Sequence, residues 1–97
     1  MTAIGYFTAE IGLWSELHTY SGGLGVLAGD HVKSAADAGI PLVAVTLLYH
    51  QGYARQHIDD AGIQTETFPE LDMNHLLTKT NIVLALELDG KPTFAFV

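Results

Sequence analysis

Residues 20–35 read Tyr20-Ser21-Gly22-Gly23-Leu24-Gly25-Val26-Leu27-Ala28-Gly29-Asp30-His31-Val32-Lys33-Ser34-Ala35, a glycine cluster that runs straight into an amphipathic pattern. Leu24, Leu27, Ala28, Val32 and Ala35 recur at helical spacing, while Asp30, Lys33, Ser34 and Asp37 fall on the opposite side. Gly39 takes the left-handed conformation that ends helices, and Pro41 cannot continue one. A helix is therefore predicted from Leu24 to about Ala38. Downstream, Leu42-Val43-Ala44-Val45-Thr46-Leu47-Leu48-Tyr49 is a nearly unbroken apolar run with β-branched residues, the pattern of a strand buried on both faces of a parallel sheet. Upstream, Ala3 to Phe7 is short and rich in Ile, Tyr and Phe, a second strand, and Thr8 to Tyr20 has no sustained period and reads as a loop. Strand, helix and strand make one βαβ unit, so the fold class is α/β.

Beyond Gly52 the pattern changes. Tyr53 to Ile58 and Ile63 to Phe68 flank Asp59-Asp60-Ala61-Gly62, a hairpin with a four-residue turn in which the paired acids serve as turn formers. A short helical turn is placed around Leu71 to Leu77. Ile82, Leu84, Leu86 and Leu88 then alternate with Val83, Ala85 and Glu87, and Asp89-Gly90 turns the chain into Thr93 to Val97, a second hairpin. The sequence stops within apolar strand character, so residues 1–97 are expected to be a partial domain whose open sheet edge favours a homo-oligomer.

Composition narrows the function. Of 97 residues, 48% are apolar and 15% charged, which is a packed chain rather than a disordered one. Four Lys plus Arg against eleven Asp plus Glu leave a net charge of −7, with no basic patch for nucleic acid or anionic lipid. There are no cysteines, hence no disulfide scaffold and no thiolate chemistry. No apolar run is long enough to span a bilayer and no basic leader opens the chain, so a cytoplasmic protein without a membrane partner is expected. The five histidines, His18, His31, His50, His57 and His75, show no metal-ligand spacing, and no metal site is expected. His31, on the apolar stripe, is expected to be packed and bonded to a backbone carbonyl. Tyr53, Arg55 and His57 share one strand face, expected as surface decoration, with contact to substrate or a second subunit as the alternative.

The chemistry lies in the glycine loop. Gly22, Gly23 and Gly25 around Leu24 set bare backbone at a helix N-terminus, where unpaired N–H groups and the helix dipole attract anions. A Cβ there would keep a phosphate oxygen from the amides, and a sharp entry to the helix calls for positive φ. Gly23-Leu24-Gly25-Val26-Leu27-Ala28 also fits the dinucleotide fingerprint G-x-G-x-x-A. Against that reading, a loop separates Phe7 from the glycines, and no acidic residue follows at the spacing of a ribose ligand.

Three blocks, Tyr6-Phe7-Thr8-Ala9-Glu10-Ile11-Gly12-Leu13, Tyr20 to Ala35, and Leu47-Leu48-Tyr49-His50-Gln51-Gly52-Tyr53, resemble in this order the start of the α-glucan phosphorylases of the bacterial and archaeal type, with the likeness reaching to about Asp72. The resemblance implies the N-terminal part of a two-domain, Rossmann-like glycosyltransferase (GT-B) fold. It further implies phosphorolysis of α-1,4-glucan to glucose 1-phosphate with retention, phosphate giving its proton to the glycosidic oxygen and then attacking the sugar. Pyridoxal phosphate is the implied cofactor of the parent protein, with its lysine in a second domain; Lys33 is not that residue but a solvated lysine. Gly22, Gly23 and Leu24 match the loop that binds glucosyl and phosphate groups, and Glu10 matches an acidic residue close to it, with a supporting polar role. No catalytic residue falls in this chain, which is expected to be inactive alone. Ile63 stands where the family usually has tryptophan, and His50 where it has arginine or a related residue. A glycogen or starch synthase shares Gly-Gly-Leu-Gly but favours Asp-Val after it, where this chain has Val26-Leu27. A non-catalytic sugar- or phosphate-binding piece is the remaining alternative.

Overall fold

A computed structural model describes residues 2–72 and 74–97. The secondary structure is β1 (Ile4–Phe7), α1 (Gly23–Asp37), β2 (Leu42–Val45), β3 (Arg55–Ile58), β4 (Gln64–Thr67), β5 (Val83–Leu88) and β6 (Lys91–Phe96). β1 and β2 pair in parallel with Ile4 opposite Leu42 and Phe7 opposite Val45, and α1 lies between them in the chain. A helical crossover is the usual way to join parallel neighbours. α1 closes where Gly39 adopts φ +68°, with its N–H donating to Ala36 O at 3.0 Å and Ile40 N–H donating to Ala35 O at 2.9 Å.

β2 is half the length its apolar run predicts. β1 ends at Phe7, and the Thr8 hydroxyl turns back to donate to Glu10 O at 2.9 Å, so residues beyond Val45 have no strand to pair with. Nor is β2 buried on both faces. Leu42 and Ala44, on the side of α1, are half-buried, whereas Val43 and Val45 on the other side are 56% and 43% exposed. The reason is coverage: one helix packs on one face of two strands, and no described element packs on the other.

The helix also packs differently from its sequence pattern. Gly25, Ala28, Gly29 and Ala35 are its buried residues, and Leu24 and Leu27 point outward at 54% and 65% exposure. Small residues let the segment after β1 lie directly on the helix backbone. Gly12 N–H donates to Gly25 O at 2.8 Å, and a Cβ on Gly29 would run into the Gly12 carbonyl. Among the described residues, every buried one falls between Ile11 and Ala35, including Leu17 and Thr19, whose hydroxyl donates to Ile11 O at 2.8 Å. His31 is exposed and packs at 4.8 Å, tilted, on the Tyr6 ring, and among the described residues it makes no bond to a backbone carbonyl, contrary to the expectation.

The remaining strands form two antiparallel pairs. β3 and β4 are joined through Asp59, whose Oδ1 accepts from Ala61 and Ile63 N–H at 2.9 and 2.8 Å while Gly62 takes φ +78°. β5 and β6 meet across Asp89 and Gly90, at φ 51° and 70°, so the pairing starts at Lys91 rather than Thr93. Residues 74–76 form a turn, whereas Met73, inside the expected helical stretch, and the initial Met1 lie outside the described residues. The molecule is extended, 59 × 38 × 27 Å with a radius of gyration of 16.7 Å, against about 12.5 Å for a compact chain of this length. Its accessible surface is 7658 Å², against about 5,400 Å² for a compact protein of this mass, and both faces of the β5–β6 ribbon lie open.

Candidate functional site

The cleft lies beyond the C-terminal ends of β1 and β2, where open parallel sheets place their ligands. Three stretches converge there: the segment after β1, the glycine loop entering α1, and residues 49–53 after β2. Tyr49 links the first and third, its hydroxyl donating to Ala9 O at 2.9 Å. Residues 50–52 are held in turn by Gly52 N–H to Pro69 O at 3.2 Å and Leu71 N–H to His50 O at 3.2 Å.

Glu10 meets the glycine loop from below. Its Oε2 accepts from the Ser21 N–H at 2.9 Å and from the Ser21 hydroxyl at 3.0 Å, and its Oε1 accepts from the Gly25 N–H at 2.9 Å. Gly22, the N-cap of α1, has no side chain to cap with, and no acidic residue stands in the first helical turn. A carboxylate from fifteen residues upstream does that work instead, placing negative charge at the positive end of the helix dipole. The Ser21 backbone amide is the main cause that holds the Glu10 carboxyl below the ordinary glutamate range; partial desolvation opposes it, and the Ser21 hydroxyl with the Gly25 and Gly22 amides adds to it.

With Ser21 and Gly25 taken, the N–H groups of Gly23 and Leu24 donate to no partner among the described residues. They are the first two of the helix, so no intrahelical acceptor exists for them. A Cβ built on Gly22 or Gly23 would meet nothing within 4 Å, so open space lies over both. Positive φ plays no part: Gly22 sits at φ −160°, extended backbone open to any residue, and the positive-φ glycines are Gly39, Gly62 and Gly90. Gly25 serves packing, because a Cβ there would collide with Tyr20.

Tyr20, Tyr49, Tyr53 and His18 line the cleft with Glu10 and Ser21, around a volume of about 280 Å³. His18 stacks parallel on Tyr20 at 5.6 Å. Aromatic rings beside a few convergent polar groups are the usual make-up of a small-molecule site. The structure thus sets Glu10 against the glycine loop that holds Gly22, Gly23 and Leu24, while the cleft itself is lined by Glu10, Ser21, His18 and the tyrosines; Tyr20, Tyr49 and Tyr53 fall within the blocks quoted above, and His18 lies outside them. Arg55 and His57 lie on β3, where His57 Nε2 is 3.2 Å from Thr67 Oγ1. No lysine lines the cleft: Lys33 is exposed on α1, and Lys79 lies 4.6 Å over the Phe96 ring. Among the described residues, no cluster of three or more His, Asp or Glu could hold a metal, and no helix is long and apolar enough to cross a membrane.

Known proteins resemble the chain strongly. It is 52% identical over 84 residues to a glycogen phosphorylase of Mycobacterium tuberculosis, a match covering 82% of this chain and 10% of that protein. It is 51% identical over 74 residues to a maltodextrin phosphorylase of Thermococcus litoralis, covering 76% of this chain and 9% of the relative. A glycogen phosphorylase of Aquifex aeolicus is 38% identical over 86 residues, covering 89% and 12%. The chain spans about a tenth of the length of the curated relatives it matches. No protein-family model and no solved structure matches it.

Proposed function

This chain, about a tenth as long as its relatives, belongs to the glycogen and maltodextrin phosphorylase family, and from that kinship we propose that it forms the glycine-loop wall of a glucan phosphorylase active site. The parent protein cleaves α-1,4-glucan with phosphate to release glucose 1-phosphate, on a GT-B fold of which this chain is the N-terminal part. The observation that carries the reading is the pair of N–H groups on Gly23 and Leu24 that donate to no partner among the described residues, in a loop whose Ser21 lines a cleft with Tyr20, Tyr49 and Tyr53.

Each residue has a role in this reaction. Gly23 and Leu24 N–H donate to phosphate or glucosyl oxygens, at the end of α1 where the dipole favours negative charge. The bare backbone of Gly22 and Gly23 lets those oxygens approach. Tyr20, Tyr49 and Tyr53 exclude water and offer flat faces to a sugar ring. In the transfer itself, the glucosyl C1–O bond to the glucan breaks, a C1–O bond to phosphate forms, and the phosphate proton goes to the departing glucan oxygen. These residues position that exchange and supply none of its protons.

Pyridoxal phosphate, the cofactor general to phosphorylases, does not fit this chain. No lysine lines the cleft to anchor it, and Lys33 projects from α1 into solvent. The second half of the site, like the partner surface for the open faces of β2 and the β5–β6 ribbon, belongs to the rest of the parent protein. By itself the chain therefore releases no glucose 1-phosphate from glucan and phosphate.

A segment exchange tests the proposal. The matching segment of the M. tuberculosis relative is replaced by residues 1–97, and glucose 1-phosphate formation from glucan and phosphate is measured. Retained activity that is lost on Gly23→Val supports the reading. An exchanged enzyme that folds but is inactive, or is indifferent to Gly23→Val, overturns it.

A further inference from the structure

We infer that Glu10 is a positioning residue whose carboxylate, bridging Ser21 and Gly25, holds the backbone of Gly22, Gly23 and Leu24 in one conformation at the entrance to α1. The inference rests on the phosphorylase reading for what the amides bind, but the bridge itself is a matter of geometry. Gly22 and Gly23 have open space where a side chain would be, so no side-chain packing fixes their backbone, and the Gly22 carbonyl is held by the helix itself, accepting from Gly25 and Val26 N–H at 3.2 and 3.4 Å. Glycine is the residue with most conformational freedom to lose, and two in succession at a helix entrance fray unless held from outside. Among the described residues, Glu10 is the only side chain bonded to both ends of the loop: Oε2 holds Ser21 by backbone and hydroxyl, and Oε1 holds Gly25. The two unengaged amides lie between these anchors.

A carboxylate suits the task because it only accepts, through both oxygens at once. An amide of the same shape would turn an NH₂ toward one of the loop's N–H donors, and an aspartate, one methylene shorter, would hold the same carboxylate short of both anchors. Glu10 is itself fixed from three directions. The Thr8 hydroxyl donates to its carbonyl at 2.9 Å, Tyr49 grips the neighbouring Ala9 carbonyl at 2.9 Å, and Ile11 N–H donates to Thr19 O at 3.1 Å beside buried Ile11 and Thr19. The anchor chain thus runs from the small core through Glu10 to the loop, which is the arrangement a preorganised site requires.

Backbone ¹⁵N relaxation on the full chain tests this without any ligand. In the unmodified chain the order parameters of Gly22, Gly23 and Leu24 should lie near about 0.85, and in Glu10→Gln they should fall below about 0.6 while those of Ser34 to Asp37 stay unchanged. If Glu10→Gln loses the whole helix, Ser21→Ala, which removes one of the three bonds, is read instead, with a smaller fall confined to Gly22 to Leu24. Unchanged order parameters in the readable variant overturn the inference. A parallel titration with glucose 1-phosphate separates the two readings. Binding weakened about tenfold in the variant, as a loss of about 1.4 kcal/mol would give, extends the clamp to ligand recognition. Equal affinity in both chains refutes that extension, and an unmodified chain that binds nothing refutes the phosphorylase site while the order parameters still decide the clamp.

Discussion

Gly29→Ala separates glycines that serve packing from glycines that serve a ligand. In an open helix the change would stabilise, since alanine exceeds glycine by about 1 kcal/mol. At Gly29, however, the new Cβ would meet the Gly12 carbonyl carbon and oxygen, which are backbone and cannot rotate away. The segment around Gly12 has to retreat, at about 1–3 kcal/mol for overpacking, and the 2.8 Å bond from Gly12 N–H to Gly25 O is lost, at about 1 kcal/mol. Set against the helical gain, the net loss is about 1–3 kcal/mol. Gly23→Ala is the counterpart: nothing lies within 4 Å of its Cβ, so stability should hold or rise by up to about 1 kcal/mol. Urea unfolding followed by circular dichroism at the helix band checks both. A Gly29→Ala chain as stable as the unmodified one would refute the backbone-on-backbone packing, and with it the account of how Glu10 is brought under the loop.

Further outcomes follow from the same geometry. Because the folded pKa of Glu10 is lowered, its stabilising contribution is full above the ordinary glutamate pKa of about 4.3 and is lost as the pH falls through the lower folded value; helix content on acid titration should fall in the unmodified chain through a step that Glu10→Gln lacks. Thr19→Val, which removes the bond to Ile11 O from a residue only 2% exposed, should cost about 1–3 kcal/mol in thermal unfolding, and no change would mean the bond is not formed. Gly90→Ala, at φ +70°, should cost about 1–2 kcal/mol and weaken the cross-strand β5–β6 signals in NMR while leaving α1 intact.

The helix was legible because its ends are written in local chemistry: glycines with no Cβ at the start, Gly39 and Pro41 at the stop. The two turns were legible for the same reason, with the Asp59 carboxylate accepting from nearby N–H groups and Asp89-Gly90 taking positive φ. The length of β2 was not, since an apolar run does not reveal that β1 stops at Phe7 and leaves Thr46 to Tyr49 unpaired. Nor was the face that α1 buries. Counting Leu24 and Leu27 as core assumes that bulk seeks the interior, whereas the contact is made by Gly25 and Gly29 against Gly12, far away in sequence. Glu10 entered only by resemblance, and its capping bond spans fifteen residues. The tyrosine cleft depends on Tyr49 reaching Ala9 across forty residues, a pairing that no local pattern encodes.

The central claim is that Gly23 and Leu24 present free amides to a phosphorylated sugar. Its most direct test is a titration of the ¹⁵N-labelled chain with glucose 1-phosphate, following each backbone amide. The account predicts saturable shifts concentrated at Gly22, Gly23 and Leu24 and spreading to Tyr49 and Tyr53, with β5 and β6 unmoved. A folded chain whose glycine-loop amides do not move, or whose shifts fall on the β5–β6 ribbon instead, would contradict it.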